Sequence, residues 1–433
     1  MTSLRGPGQS SFPNLGSSTS TFPVVVSRRV RGRYHPAVTF AQHWTLDPKV
    51  TFLNHGSFGA CPRVVIDAQL AIQARLHQEP VTFFARDLPG LYQEVRSRLA
   101  EFLGASPRDL AFVPNASTGV NTVLASFPLS PGDEILLTDH GYNACNNAAA
   151  FYAARAGATV RIAQVPFPIE APEQVTAAIM EAVTPKTKLA LIDHATSPTA
   201  LVLPLPAIVR ALRERGVETL VDGAHGPGML PIALDDLGAA YYTGNCHKWL
   251  CAGKGAAFLH VRGDLRQRLR PLVISHGASL PEEHPDRFFA EFDWTGTLDP
   301  SAILSVPVAI DFFQNLLPGG WTEVQATLHN QAKRVRARLV EALGLPAPCP
   351  ESMIGAMVPM ILPGQSPRPG RVPMDGLHFE LFDEHQIEVP VFTIPKPGLR
   401  ILRVSTHLYN QEADVTRLIE ALRSKGLTAD GAG

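Results

Sequence analysis

Charge imbalance is the first thing this sequence lacks. Its 38 Lys and Arg stand against 39 Asp and Glu, a formal net charge of −1, so no basic field argues for nucleic acid or an anionic membrane surface as a partner. No apolar run approaches the roughly 20 residues a membrane span needs. Paired cysteines are missing too. Cys61, Cys145, Cys246, Cys251 and Cys349 form an odd, scattered set without CxxC. That fits a reducing compartment, and hence a cytoplasmic location, rather than a disulfide framework. Cys246, His247 and Cys251 are neighbours, but their spacing matches no usual zinc pattern. Acidic residues are absent from the whole stretch before Asp47. Residues 1–36, rich in Ser, Thr, Gly, Pro and Arg, carry too little apolar surface to order themselves and read as a disordered extension. The same composition also describes an organellar transit peptide, the alternative to a cytoplasmic location, whereas no apolar segment suits a secretory signal.

What is present is ordinary globular composition, 45% apolar and 18% charged, in a chain long enough for more than one core. The pattern predicts a large unit over residues 37–300 and a smaller one over 301–433. After a helical stretch at 63–103, short continuous apolar runs alternate with helical segments. Strands are expected at 110–113, 134–139, 159–165, 188–194 and before Asp222. Such alternation indicates an α/β fold with a mainly parallel sheet covered on both faces, and ligands in such sheets sit at the strands' C-terminal ends. The last hundred residues read as α+β, with strands at 355–362, 387–392 and 399–405, a Pro/Gly-rich loop (LPGQSPRPGRVP), and helices at 375–385 and from Gln411.

The stretch Thr219 to Lys248, TLVDGAHGPGMLPIALDDLGAAYYTGNCHK, organises the rest. A buried strand ends in Asp222, a glycine-broken turn carries His225, and a second strand delivers His247 and Lys248 into another turn. An aspartate at one strand end and a lysine after the next is a layout for pyridoxal 5'-phosphate (PLP). The lysine forms a Schiff base with the aldehyde, and the aspartate pairs with the protonated pyridine nitrogen. Other candidates fall at strand ends as well. PNAST opens a helix near Ala116, Ser117 and Thr118, where free N–H groups and the helix dipole suit a phosphate. His140 and Tyr142 follow the 134–139 strand and offer a ring to stack on a flat cofactor. Asn54, His55 and Ser57 stand at a turn with two glycines, and Arg403, mid-strand, suits a bidentate grip on a carboxylate.

VDGAHGPG, TGNCHKW and LNHGSFG together resemble the class V aminotransferase family of fold-type-I PLP enzymes, nearest its isopenicillin N epimerase-like branch, over roughly Thr51 to Leu422. The resemblance implies a large domain with a seven-stranded, mainly parallel sheet and a smaller C-terminal domain. It makes Lys248 the Schiff-base lysine and proton carrier, Asp222 the pyridine-nitrogen partner and His225 the partner of the ring 3-hydroxyl. Ala116, Ser117 and Thr118, with His247 and Asn245, would cradle the phosphate. Tyr142, or else His140, would stack on the ring. Arg403 would bind the substrate α-carboxylate, with Asn54 and His55 lining the substrate side. TGT at Thr295–Thr297 matches a segment that reaches the phosphate of a neighbouring subunit, so Thr297 implies a homodimer with shared active sites.

The expected reaction is epimerisation of a small amino-acid-like substrate, needing a second acid, Tyr142 or His55. A C–S β-lyase of the hercynylcysteine sulfoxide lyase or cysteine desulfurase type is the alternative, then transamination. The desulfurase variant is weakened by two departures. His194-Ala195-Thr196-Ser197 stands where desulfurases place an Asn after a His-Val-Ser run, and no Cys lies between His385 and Arg403 to carry a persulfide.

Overall fold

The computed structural model describes residues 40–364, 374–393 and 399–431. The extension at 1–36 lies outside these residues, as does most of the Pro/Gly-rich loop.

A seven-stranded sheet forms the frame. In chain order its strands are β2 (Leu110–Val113), β3 (Glu134–Thr138), β4 (Thr159–Ala163), β5 (Thr187–Asp193), β6 (Glu218–Asp222), β7 (Tyr241–Asn245) and β8 (Ala257–Val261), following a short β1 (Thr51–Phe52) that belongs elsewhere. The spatial order is β2-β8-β7-β6-β5-β3-β4. Strands β3 to β7 run parallel, and β8 is antiparallel to both of its neighbours. The continuous apolar runs reflect burial on both faces: Leu220 belongs to one apolar cluster and Val221 to the other. The crossovers place α1 (Arg63–Gln78), α2 (Leu88–Leu103), α3 (Ala116–Ser126), α4 (Asn143–Arg155), α5 (Glu173–Ala182) and α6 (Leu205–Glu214) around the sheet. This is the fold-type-I architecture.

The C-terminal part packs α7 (Val306–Leu316), α8 (Gly320–Leu343), α9 (Gly376–His385) and α10 (Glu412–Ser424) with an antiparallel sheet. Its order is β11 (Val391–Phe392), β12 (Arg400–Ser405), β9 (Met357–Leu362). The remaining strand, β10 (Ile387–Glu388), pairs in parallel with β1. The chain around Thr51, assigned from the sequence to the large unit, is thus bonded to the small one.

Two elements read as continuous are broken, both at proline. The 63–103 helix is interrupted at Glu79, whose ψ of 83° leaves the helical region before Pro80, and it resumes through a π-helical turn, Phe83–Asp87. A residue before proline is pushed out of the α region. The 387–392 strand is split by Pro390, which has no N–H for a ladder, so its halves join different sheets. Among the described residues no single helix is long and apolar enough to cross a membrane.

Candidate active site

The C-terminal ends of β5, β6 and β7 converge on Lys248. Asp222 closes β6, and its Oδ1 accepts from the Ala224 N–H at 3.0 Å. His225, three residues on, lies with Nε2 3.1 Å from Lys248 Nζ. The Trp249 indole N–H donates to His225 Nδ1 at 3.3 Å. That donation occupies the Nδ1 lone pair, so the proton of the neutral ring sits on Nε2 and points at the lysine. With that tautomer the lysine accepts as a neutral amine, the form that predominates above about pH 8. Burial and the nearby Arg403 charge bring its pKa down from 10.5 to about 8. His225 is driven well below its ordinary value by burial and by Lys248. A neutral amine with a fixed neutral imidazole beside it is a nucleophile ready for an aldehyde.

The N-terminus of α3 lies next to this group. Asn115 caps it, its Oδ1 accepting from the Thr118 N–H at 2.8 Å and from the Thr118 hydroxyl at 3.1 Å. Asn245, at the end of β7, accepts from the Ala116 N–H at 2.8 Å. Two expected phosphate donors are therefore already spent, Ala116 N–H on Asn245 and Thr118 N–H on Asn115. Asn245 acts as an anchor of the helix end. Ser117, with a first-turn N–H that has no helical partner by position, is left as the main donor. The helix comes this close because of Gly119: a Cβ there would collide with the Thr243 side chain on β7. His247 gives Nδ1 to the Ala256 carbonyl at 3.1 Å. Burial lowers its pKa to about 4, so its free Nε2 carries a lone pair and can hold a phosphate only by taking up a proton.

On the far side stands Arg403, 1% exposed. Nη1 donates to the Ser197 carbonyl at 2.7 Å and its hydroxyl at 3.3 Å. Nη2 donates to Asn54 Oδ1 at 3.2 Å and Ser57 Oγ at 2.9 Å. Among the described residues Nε has no hydrogen-bond partner and no carboxylate pairs with this cation. Burial lowers its pKa to about 9, which still leaves it charged at neutral pH. The Phe392 ring lies 5.1 Å from the guanidinium carbon. Asn54 in turn donates to Glu388 at 2.9 Å. Ser57, Ser197 and Glu388 contact this arginine or its asparagine; Ser57 stands in the same turn as Asn54, whereas no sequence motif marks Ser197 or Glu388.

His55 does not line the substrate side. It is fully buried beneath Lys248, with Nδ1 2.8 Å from the Tyr409 hydroxyl and Nε2 3.2 Å from the Lys248 carbonyl. A carbonyl only accepts, so Nε2 bears the proton and Tyr409 donates to Nδ1. Burial drives His55 down to about pKa 3, and no proton is available from it for a substrate carbon. Gly59 makes this approach workable: with φ of 68°, it lies where a Cβ would meet the His247 and Lys248 carbonyls at 2.6 Å. Of the two ring candidates, His140 is buried, bonded to the Thr199 hydroxyl at 2.7 Å and the Val165 carbonyl at 3.2 Å. Tyr142 is 44% exposed and interacts electrostatically with Asp222 and Arg403. Thr297 stands exposed in the segment before α7.

A neutral amine, a carboxylate 26 positions earlier at the neighbouring strand end, a helix N-terminus and a buried unpaired cation fit the four parts of pyridoxal phosphate bound to an amino acid. They define a PLP enzyme of fold type I. The family model for aminotransferase class-V matches residues 60–353, and the chain belongs to that family. It is 39% identical over 393 residues to isopenicillin N epimerase of Amycolatopsis lactamdurans, spanning 88% of this chain and 96% of that one. To putative L-cysteine desulfhydrase 1 of Oryza sativa subsp. japonica it is 32% identical over 416 residues, 88% of this chain and 84% of the relative. Among solved structures it resembles a lysine mutant of C-DES with glycine covalently linked to the PLP cofactor, with a TM-score of 0.71 and 24% identity over 87% of this chain and 96% of that one.

Proposed function

We propose that this protein is a PLP-dependent epimerase acting at the α-carbon of an amino acid, of the isopenicillin N type. The observation that carries the amino-acid substrate is Arg403. A buried guanidinium that, among the described residues, has no acidic partner and an unspent Nε–H, with its charge felt by Lys248, calls for an anion at that point. The α-carboxylate of a substrate whose amine faces Lys248 supplies it. When bound, PLP withdraws electrons from the α-carbon and makes its proton acidic. Asp222 keeps the pyridine end paired, and the His225 Nε2–H, aimed at Lys248, is placed to donate to the ring oxygen. Lys248 Nζ takes the α-proton, and Arg403 fixes which bond faces it. Tyr142 is proposed as the second proton donor, since burial raises its pKa and keeps its hydroxyl protonated.

Support for epimerisation over elimination comes from two isopenicillin N epimerases at 39% and 34% identity. Support against persulfide chemistry comes from the thiols: four are buried and Cys61 is half-buried. The runner-up is cysteine desulfhydrase activity, favoured by several relatives of that name. A homodimer in which Thr297 reaches the neighbouring phosphate belongs to the same proposal. Incubation with isopenicillin N, and separately with L-cysteine, in D2O followed by proton NMR separates the readings. Deuterium entering the α-position of isopenicillin N, with formation of the second epimer and no pyruvate, is expected. Pyruvate, ammonia and sulfide formed from L-cysteine, with isopenicillin N untouched, would replace the epimerase by the desulfhydrase.

A further inference from the structure

Asp222 has a thiol neighbour on α4. Cys145, in the first turn of α4, directs its thiol at Asp222 Oδ2 across 3.1 Å. It is 2% exposed and far from any role in packing alone, because sulfur at that separation from a carboxylate oxygen is a hydrogen bond. A thiol is a weak donor to neutral acceptors, but donation to an ionised oxygen is strengthened by the charge.

The surroundings of Asp222 give that bond a purpose. Asp193 ends β5 as the register partner of Asp222, and both side chains are buried. Two neighbouring carboxyls in a site of low polarity resist carrying two charges. Burial, followed by the charge of Asp222, raises Asp193 well above its ordinary value. The other titratable groups facing Asp222 are Tyr142 beside α4, Tyr242 on β7, and Lys248 after β7. Lys248 acts on this carboxylate pair through space, but its Nζ is bonded to His225 instead. A donor that stays in place is then needed to keep the charge on Asp222. Burial and Asp222 push the Cys145 thiol far up, so its proton stays on sulfur and the bond runs from S–H to carboxylate.

We propose that Cys145 is a positioning residue for Asp222, its S–H fixing one carboxylate oxygen and holding the carboxylate ionised against Asp193, so that the pyridine nitrogen meets a charged partner. This rests on the PLP reading only for its consequence; the bond itself is testable in the cofactor-free protein. The S–H stretching band of Cys145, isolated as the infrared difference between wild type and C145A apoprotein, is expected to be shifted down by donation to a charged acceptor and to move back up in Asp222→Asn. A Cys145 band at the position of an unbonded thiol, unmoved by Asp222→Asn, overturns the proposal whether or not PLP binds. In the holoprotein, PLP retention followed by absorbance across the acid range reads the consequence. Loss of the donor weakens PLP binding roughly tenfold, and moves the acid limb of retention up by about one pH unit. C145A should show this shift, and C145S, whose hydroxyl restores a donor, should return the limb to the wild-type position. If C145A and C145S share one acid limb with the wild type, the thiol has no such role. Far-UV circular dichroism confirms that each variant is folded, and C145S keeps the test decisive should C145A be unstable.

Discussion

The two ends of the site are built on opposite principles. At the cofactor end the partners come from the strand ends of the large sheet, the turns that follow them and α4. Asp222 has the Cys145 thiol and the Ala224 N–H. His225 is held neutral between Trp249 and Lys248. Asp193 is pushed well above its ordinary value by burial and by Asp222. At the carboxylate end, Arg403 is assembled from four distant pieces of chain, the 54–57 turn, the loop at Ser197, Phe392 and β12 itself. Among the described residues, only neutral oxygens and an aromatic ring meet its charge. The first end is complete before a substrate arrives. The second is finished by the substrate, and an uncompensated buried cation of this kind gains selectivity for an anion at a cost in stability.

The sharpest way to break that contrast is Arg403→Ala. Truncating one partner of a buried charge pair costs about 2–4 kcal/mol, and we expect kcat/KM to fall roughly 30- to 1000-fold while the PLP absorbance band is unchanged. Steady-state kinetics beside an absorbance spectrum decide it. Equal damage to both readouts would mean that the two ends form one network. An intermediate sharpening is the substrate amide, which lacks the carboxylate: it should be a poor substrate for the wild type, and Arg403→Ala should make it little worse.

Much of the cofactor end was legible in the sequence because it follows strand geometry. Asp222 and Lys248 end or follow adjacent strands, so a continuous apolar run and its terminating turn locate them. His225, Trp249 and the α3 N-terminus ride on the same short motifs. The carboxylate end was legible only at Arg403 and Asn54. Ser57 shares the Asn54 turn, but its contact with Arg403, like that of Ser197 and the Asn54–Glu388 bond, is made by tertiary closure, and Phe392 arrives through the pairing of β11 with β12. His55 was misplaced for a related reason. Its motif set it at a glycine turn near the ligand, but the turn folds under Lys248, and the partner that fixes its tautomer, Tyr409, lies 354 residues away. Asn245 and Ala116 were expected as separate phosphate donors, and their mutual bond appears only once β7 and α3 are side by side.

The cofactor end makes its own prediction about pH. With the Lys248 pKa held near 8 by burial and by Arg403, the neutral amine predominates above that pH and becomes scarcer below it. The rate at which apoprotein captures PLP should therefore rise about tenfold per pH unit up to roughly pH 8 and then level off. Arg403→Ala removes one of the two influences lowering the lysine, so the inflection should move to higher pH. Stopped-flow absorbance on wild type and variant measures both, and an inflection near 10 in the wild type would show that the amine is not depressed.

The smallest effect expected concerns the layer under the lysine. Tyr409 donates to His55, and His55 donates to the Lys248 carbonyl. Tyr409→Phe deletes the hydroxyl but leaves the ring stacked among His55, His407 and Trp44. His55 Nδ1 keeps only the long bond from the Ala60 N–H, 3.4 Å, and its two neutral tautomers become closer in energy. In the minor tautomer Nε2 loses its proton and faces the Lys248 carbonyl, acceptor against acceptor. The cost is about 1 kcal/mol, read as a lowered chemical-denaturation midpoint with unchanged slope. Nitrogen-15 NMR of the histidines separates the cause from simple loss of packing: a tautomer shift at His55 should accompany the destabilisation, whereas a packing defect would leave the His55 nitrogens as they are in the wild type.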